Sequence, residues 1–181
     1  MARAEREPVD SETFNSEPVE RELLLWRHGI AEDRHPDRPD QERALTAQGR
    51  QRTAAVAAEL CRLHLHCDRL LSSPLRRALQ TAEIGVAAGL APALELEDRL
   101  APGGDPLPLL QEGTWQRLGL VGHEPDLGEL ASSLLGLPAG TISLRKAGIV
   151  LLRLGPTGAT SLEALIGPRL LRLRRDGQRQ P

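Results

Sequence analysis

The sequence predicts a three-layer α/β/α sandwich, a mostly parallel central sheet covered by helices on both faces. Three observations predict it. Short runs of Leu, Val and Ile alternate with longer stretches whose apolar residues recur at helical spacing. Three apolar runs end abruptly on polar or small residues, at Arg27-His28-Gly29, Ser72-Ser73 and Gly122-His123. The chain also has 181 residues, enough for one domain with a real core, and no run of about 18 apolar residues that would span a membrane.

The elements follow in order. Residues 1–20 are charged and broken by Pro8 and Pro18, which predicts a flexible leader ahead of a single domain over 21–172. Leu23–Arg27 is the first strand, and Gly29 is the turn that leaves it. Residues 31–44 are polar, carry Pro36 and Pro39, and form a long surface loop able to rim a pocket. Thr46 caps a helix whose apolar positions are Ala54, Val56, Ala57, Leu60 and Leu63. Arg69–Ser72 is a second strand, and Pro74 suits the first turn of a helix that reaches about Gly89. Ala93–Leu96 reads as a third strand, followed by a loop at 101–104 and a weak helix near Pro106–Glu112.

Arg117–Val121 is a strand ending at Gly122-His123, and Asp126–Leu135 is a helix closed by Gly136. Ile149–Leu154 and Ser161–Ile166, joined by Gly155-Pro156-Thr157-Gly158, read as a hairpin. Residues 173–181 are a basic, flexible tail.

Composition narrows the function. A formal net charge of −2 argues against a nucleic-acid surface, so any basic feature is local. With two Trp, one Phe and no Tyr, the chain has no stacking platform for bases. The first residues, with Arg3, Glu5, Arg6 and Glu7, lack the apolar segment of a secretory signal. Two cysteines make no disulfide framework and suit a reducing cytoplasm. The cluster Cys61-Arg62-Leu63-His64-Leu65-His66-Cys67 does not match zinc-ligand spacing and reads as a helix end plus loop, so no metal is assigned.

The chemistry concentrates at the strand ends, where open α/β sheets place their ligand sites. Arg27 can grip a phosphate bidentately, and His28 beside it can act as base, ligand or nucleophile. Arg76 and Arg77 fall in the first turn of a helix, where cations oppose the dipole; an anion between them would relieve that misfit. His123 ends the third apolar run. Arg27, His28, Arg76 or Arg77, and His123 can therefore share one pocket.

The chain resembles the histidine phosphatase superfamily, of phosphoglycerate-mutase-like fold, and within it the small, insert-poor SixA-like phosphohistidine phosphatases. The resemblance is carried by Arg27-His28-Gly29, by Ser72-Ser73-Pro74-Leu75-Arg76-Arg77-Ala78-Leu79-Gln80-Thr81-Ala82, and by Val121-Gly122-His123-Glu124-Pro125-Asp126-Leu127. Weaker similarity lies at 44–50 and 144–148, and the whole covers roughly residues 22–172.

The resemblance implies a metal-independent phosphatase without cofactor, in which His28 attacks phosphorus and carries a covalent phosphoryl group. Arg27 and Arg77 would hold the phosphoryl oxygens, with Arg77 preferred because it directly precedes Ala-Leu-Gln-Thr. Arg76 would be a solvated helix residue. His123 would donate to the phosphoryl group. Several cationic donors would also resist protonation of His28.

Larger relatives use an acid after the second motif. Glu97 is the candidate here, with Asp98 and Asp105 as alternatives, and no motif singles one out. A missing acid tilts the substrate toward phosphohistidine, since an imidazole leaves more readily than an alkoxide. About 18 residues between His28 and Thr46 leave little chain for a cap, which suits an open site and a phosphorylated protein. The alternatives are a small phosphorylated metabolite as substrate, or an idle phosphate-binding or phosphoprotein-binding module.

Overall fold

A computed structural model describes residues 20–171; the leader, Glu20 apart, and the tail over 173–181 lie outside that range. The strands are β1 (Arg21–Arg27), β2 (Arg69–Ser72), β3 (Glu95–Leu96), β4 (Arg117–Gly122), β5 (Ile149–Leu154) and β6 (Thr160–Ile166). They form one sheet in the order β3-β2-β4-β1-β5-β6. The pairings β3–β2, β2–β4 and β4–β1 are parallel, and β1–β5 and β5–β6 antiparallel.

The apolar runs behave as the two-sided burial of a central strand requires. Leu23 and Leu25 of β1 enter one core with Leu118, Leu120 and Leu127. Leu24 and Trp26 point the other way, into a second core with Val56, Leu60, Ala78 and Ala82. The helices divide accordingly. Helices α1 (Ala47–Arg62) and α2 (Arg76–Ala87) cover the Trp26 face, and α3 (Asp126–Leu134) covers the opposite face. Each core side chain buried this way contributes about 1.5–3 kcal/mol, so both faces of β1 are strongly specified.

Thr46 caps α1 as expected, its Oγ1 accepting from the Gly49 N–H at 2.9 Å. The buried residues of α1, however, are Gly49, Thr53, Val56, Ala57, Glu59 and Leu60. Ala54 is exposed and Leu63 is 40% exposed. The helix presents Thr53 inward because Gly29 packs directly against its hydroxyl.

Other boundaries shift for local reasons. Helix α2 starts at Arg76 rather than Pro74, after Ser73 Oγ has accepted the Leu75 N–H. Strand β3 shrinks to two exposed residues at the sheet edge. Pro106 and Pro108 restrict the expected weak helix to a 3₁₀ turn at Leu107–Gln111.

The Cys/His cluster ties the end of α1 to the end of α2. Cys61 Sγ donates to the Ala88 carbonyl at 3.3 Å, His66 Nδ1 bonds the Gly89 carbonyl at 2.9 Å, and buried Cys67 packs under Gly119. Burial pushes the Cys67 thiol up to about 12, so it stays protonated and inert. Among the described residues, no helix is long and apolar enough to cross a membrane.

Candidate active site

Strands β2, β4 and β1 are parallel neighbours, so their carboxyl ends lie side by side. Register then levels them. Arg27 is opposite Gly122, and the His28 N–H donates to the Gly122 carbonyl at 3.1 Å, so His28 and His123 leave the sheet together. Their ring centroids are 5.1 Å apart. Ser72 is opposite Val121, and the Ser73 N–H continues the ladder to the Val121 carbonyl at 3.0 Å. The first turn of α2 delivers Arg77 to the same place.

His28 is 6% exposed, and its tautomer follows from its neighbours. Nδ1 lies 2.7 Å from the Gly29 carbonyl oxygen, which can only accept, so Nδ1 carries the proton. Nε2 therefore holds the lone pair, and Arg77 Nε–H donates to it at 3.3 Å. Burial lowers the His28 pKa to about 3; the Gly29 bond opposes this, and His123, Arg77 and Arg27 add to it. The expectation that cations keep His28 neutral is thus met in part, with desolvation the larger cause. The product is a neutral imidazole with a fixed proton and a lone pair that faces Arg77.

Gly29 also donates its N–H to Thr81 Oγ1 at 3.0 Å, and the Thr81 hydroxyl donates to the Arg77 carbonyl at 2.8 Å. One side chain thus couples the loop after His28 to the turn that carries Arg77. Arg77 is buried, and its terminal nitrogens reach the loop after β1. One donates to the Asp40 carbonyl at 2.9 Å, and the other pairs with the Asp40 carboxylate at 3.0 Å. Arg76 is exposed, which separates the two arginines.

Burial also lowers His123, to about 4, and Arg77 reinforces the shift. His123 Nε2 is 2.9 Å from Ser73 Oγ. His123 Nδ1 and Arg27 Nε are buried without a hydrogen-bond partner among the described residues. Two such nitrogens in one cluster fit a site built for an oxyanion, which would satisfy both.

Arg27 is half-buried and donates to the Leu144 carbonyl at 2.7 Å. Beside it stands Glu124, whose Oε2 accepts from the Ser143 hydroxyl at 3.3 Å and whose pKa is raised by burial. The same loop is thereby held from two sides.

Glu97 is not drawn into this cluster. Its carboxylate forks onto Arg99 at 2.8 Å on each oxygen and accepts the Arg99 N–H at 3.0 Å. These bonds pull it down to about 2, so it carries no proton near neutral pH. Asp105 accepts the Leu107 N–H at 3.0 Å as a turn residue. Sequence reasoning gave no role to Asp40, Ser73, Thr81 or Glu124. Ser73, Thr81 and Glu124 lie inside the quoted motifs, whereas nothing in the sequence marks Asp40 within its polar loop.

Comparisons with known proteins bear on the family and the fold. The model of the histidine phosphatase superfamily (branch 1) matches residues 23–101, which include Arg27, His28 and Arg77. An uncharacterized protein of Picosynechococcus sp. is 45% identical over 152 residues, covering 79% of this chain and 89% of its own length. The structure of the protein histidine phosphatase SixA complexed with tungstate aligns with a TM-score of 0.72 and 25% identity, over 83% of this chain and 99% of that one. The alpha-ribazole phosphatase from Shigella flexneri aligns with a TM-score of 0.65 and 16% identity, over 81% and 96%, and shares the fold.

Proposed function

Because the chain belongs to the histidine phosphatase superfamily and is a phosphatase, we propose that it hydrolyses protein phosphohistidine through a phosphoryl group carried on His28. The observation that carries this reading is the fixed tautomer of His28, which leaves Nε2 as a neutral nucleophile beside the Arg77 guanidinium. Arg77 and Arg27 supply the countercharge for the phosphoryl oxygens, and His123 Nδ1 supplies a further donor in the tautomer whose Nε2 accepts from the Ser73 hydroxyl. These donors allow the reaction to run without a metal.

The proton count favours an imidazole leaving group. His28 Nε2 forms a bond to phosphorus as the substrate P–N bond breaks. A departing imidazole that carries a proton on its other nitrogen leaves neutral, and His28 becomes a phosphorylated ring that keeps its Nδ1 proton. No proton moves in that step. Water then attacks phosphorus, the N–P bond returns its electrons to Nε2, and both water protons leave on the released phosphate. A serine leaving group would need a proton in the first step, and Glu97, ionised on Arg99, has none to give. The phosphorylated partner is therefore a histidine-phosphorylated protein.

The test is phosphate release from such a protein in excess EDTA, comparing the natural chain with His28→Ala. An acid-labile, alkali-stable label on the enzyme that vanishes in the variant is the expected result. Equal turnover of phosphoserine and phosphohistidine substrates would overturn the substrate assignment, and a label surviving in His28→Ala would overturn the nucleophile.

A further inference from the structure

We infer that the open cleft beside Arg27 docks an acidic segment of the phosphoprotein substrate, an inference that rests on the phosphoprotein reading above. The cleft has a volume of about 400 Å³, and its lining holds Arg27, Arg52, Arg145 and Lys146 with no acidic residue. The whole chain carries 25 acidic and 23 basic side chains, so four cations without an acid reflect placement rather than composition.

Three of these cations have no carboxylate partner among the described residues, a trait shared with Arg50, Arg76 and Arg169. Arg43, Arg62, Arg69, Arg77, Arg99 and Arg117 each clasp a carboxylate. Arg52, Arg145 and Lys146 make no ion pair with the described residues. Like charges gathered in one cleft repel one another, and an anionic ligand removes that repulsion.

The cleft is also fixed relative to the nucleophile. Arg145 and Lys146 lie on the turn that enters β5. The next residue, Ala147, adopts a left-handed backbone at φ 61°, and its N–H reaches the Arg27 and His28 carbonyls at 3.1 and 3.0 Å. The Gly148 N–H closes the turn onto the Arg145 carbonyl at 2.6 Å, and the Gly148 carbonyl accepts the Arg27 N–H at 3.1 Å. A left-handed alanine is strained, and these bonds are what retain it. Arg27 belongs both to the phosphoryl site and to the cleft, so an anionic chain lying there continues directly from a phosphoryl group on His28.

The form of the cleft favours an extended acidic segment over a compact second phosphate. A phosphate site gathers buried donors onto one point. Here Arg145 and Lys146 are exposed, and the cations come from three separate chain segments. Between them the lining is apolar, with Ile30 and Ala147. Carboxylates spaced along a peptide, with aliphatic carbons between, match that pattern. Each exposed cation adds little alone, but several along one path give affinity and steer encounter.

The test uses the full chain and the double variant Arg145→Ser/Lys146→Ser. Fluorescence anisotropy with a labelled poly-glutamate peptide that carries no phosphate reads docking alone. The expected result is binding by the natural chain that weakens with salt and falls about fivefold or more in the variant. The ratio of kcat/KM on a histidine-phosphorylated protein with an acidic surface to kcat/KM on p-nitrophenyl phosphate should fall by a similar factor, through KM. Equal peptide affinity in both chains, or none in the natural chain, would overturn the inference. So would unchanged peptide binding with weakened hydrolysis of a small bis-phosphorylated compound, which would assign the cleft to a second phosphate. Peptide binding lost in the variant while neither chain releases phosphate from phosphohistidine would sustain the acidic-segment site and overturn the phosphohistidine reading.

Discussion

Arg77 and His28 meet edge to edge, with Arg77 Nε–H donating to His28 Nε2 at 3.3 Å, and both side chains are almost wholly buried. The guanidinium thus touches the atom proposed to attack phosphorus through its Nε edge, while Asp40 holds both terminal nitrogens. Arg77→Ala should lower kcat/KM about 100-fold or more, and Arg77→Lys nearly as much because the fork is lost. Exposed Arg76→Ala should stay within about twofold. Steady-state kinetics on the three variants decide it, and equal losses at the two positions would mean that the first turn of α2 acts as a unit.

Asp40 occupies the far side of the same guanidinium, by its carboxylate and its carbonyl. A phosphoryl group approaching Arg77 meets this negative charge. Asp40→Asn retains the carbonyl contact and removes the charge, so inhibition by inorganic phosphate should strengthen about threefold. Weaker inhibition would show instead that the carboxylate is needed to aim Arg77.

Thr81 accepts from Gly29 and donates to the Arg77 carbonyl. The isosteric Thr81→Val leaves the buried Gly29 N–H without a partner, which costs about 1–3 kcal/mol. Urea unfolding should show that loss with an unchanged slope, and kcat should fall as His28 and Arg77 lose their common support. An unaltered midpoint would mean that the loop finds another acceptor.

His28 and His123 are both held neutral by burial, at about 3 and about 4. In the unfolded chain they bind protons near pH 6.5, so between those values the unfolded state holds more protons than the folded one. Stability should therefore be level above about pH 6.5 and decline as the pH falls toward 4, by up to about 1.4 kcal/mol per pH unit for each histidine. Thermal unfolding across that range checks the slope, and His123→Gln should flatten it. NMR titration of the His28 ring should show no inflection above about pH 5, and an inflection near 6.5 would refute its neutral, buried state.

Much of this was legible in the residues alone. Leu23–Arg27, Arg69–Ser72 and Arg117–Gly122 are runs buried on both faces, so their composition announces strands whatever their neighbours are. Arg27, His28 and His123 stand out because charged and polar side chains end those runs where a parallel sheet opens to solvent, and Arg76 or Arg77 because cations sit in the first turn of a helix. Helix boundaries were less legible. The start of α2 depends on a Ser73 hydroxyl taking the Leu75 N–H, and the buried stripe of α1 depends on what Gly29 admits.

The sequence by itself determined the strands, the order of the motifs and the placing of Arg27, His28 and His123 at strand ends, because hydrophobic pattern and residue chemistry are local properties. Only the tertiary structure decided the register that sets His28 level with His123, the proton on Nδ1, and the contacts of Asp40 and Thr81 with Arg77. It also decided that Glu97 is committed to Arg99 and that Arg52, Arg145 and Lys146 share a cleft with Arg27. Those relations join residues far apart in the chain. They follow from desolvation, hydrogen-bond geometry and strand pairing, which act through space and leave no periodic trace in the sequence.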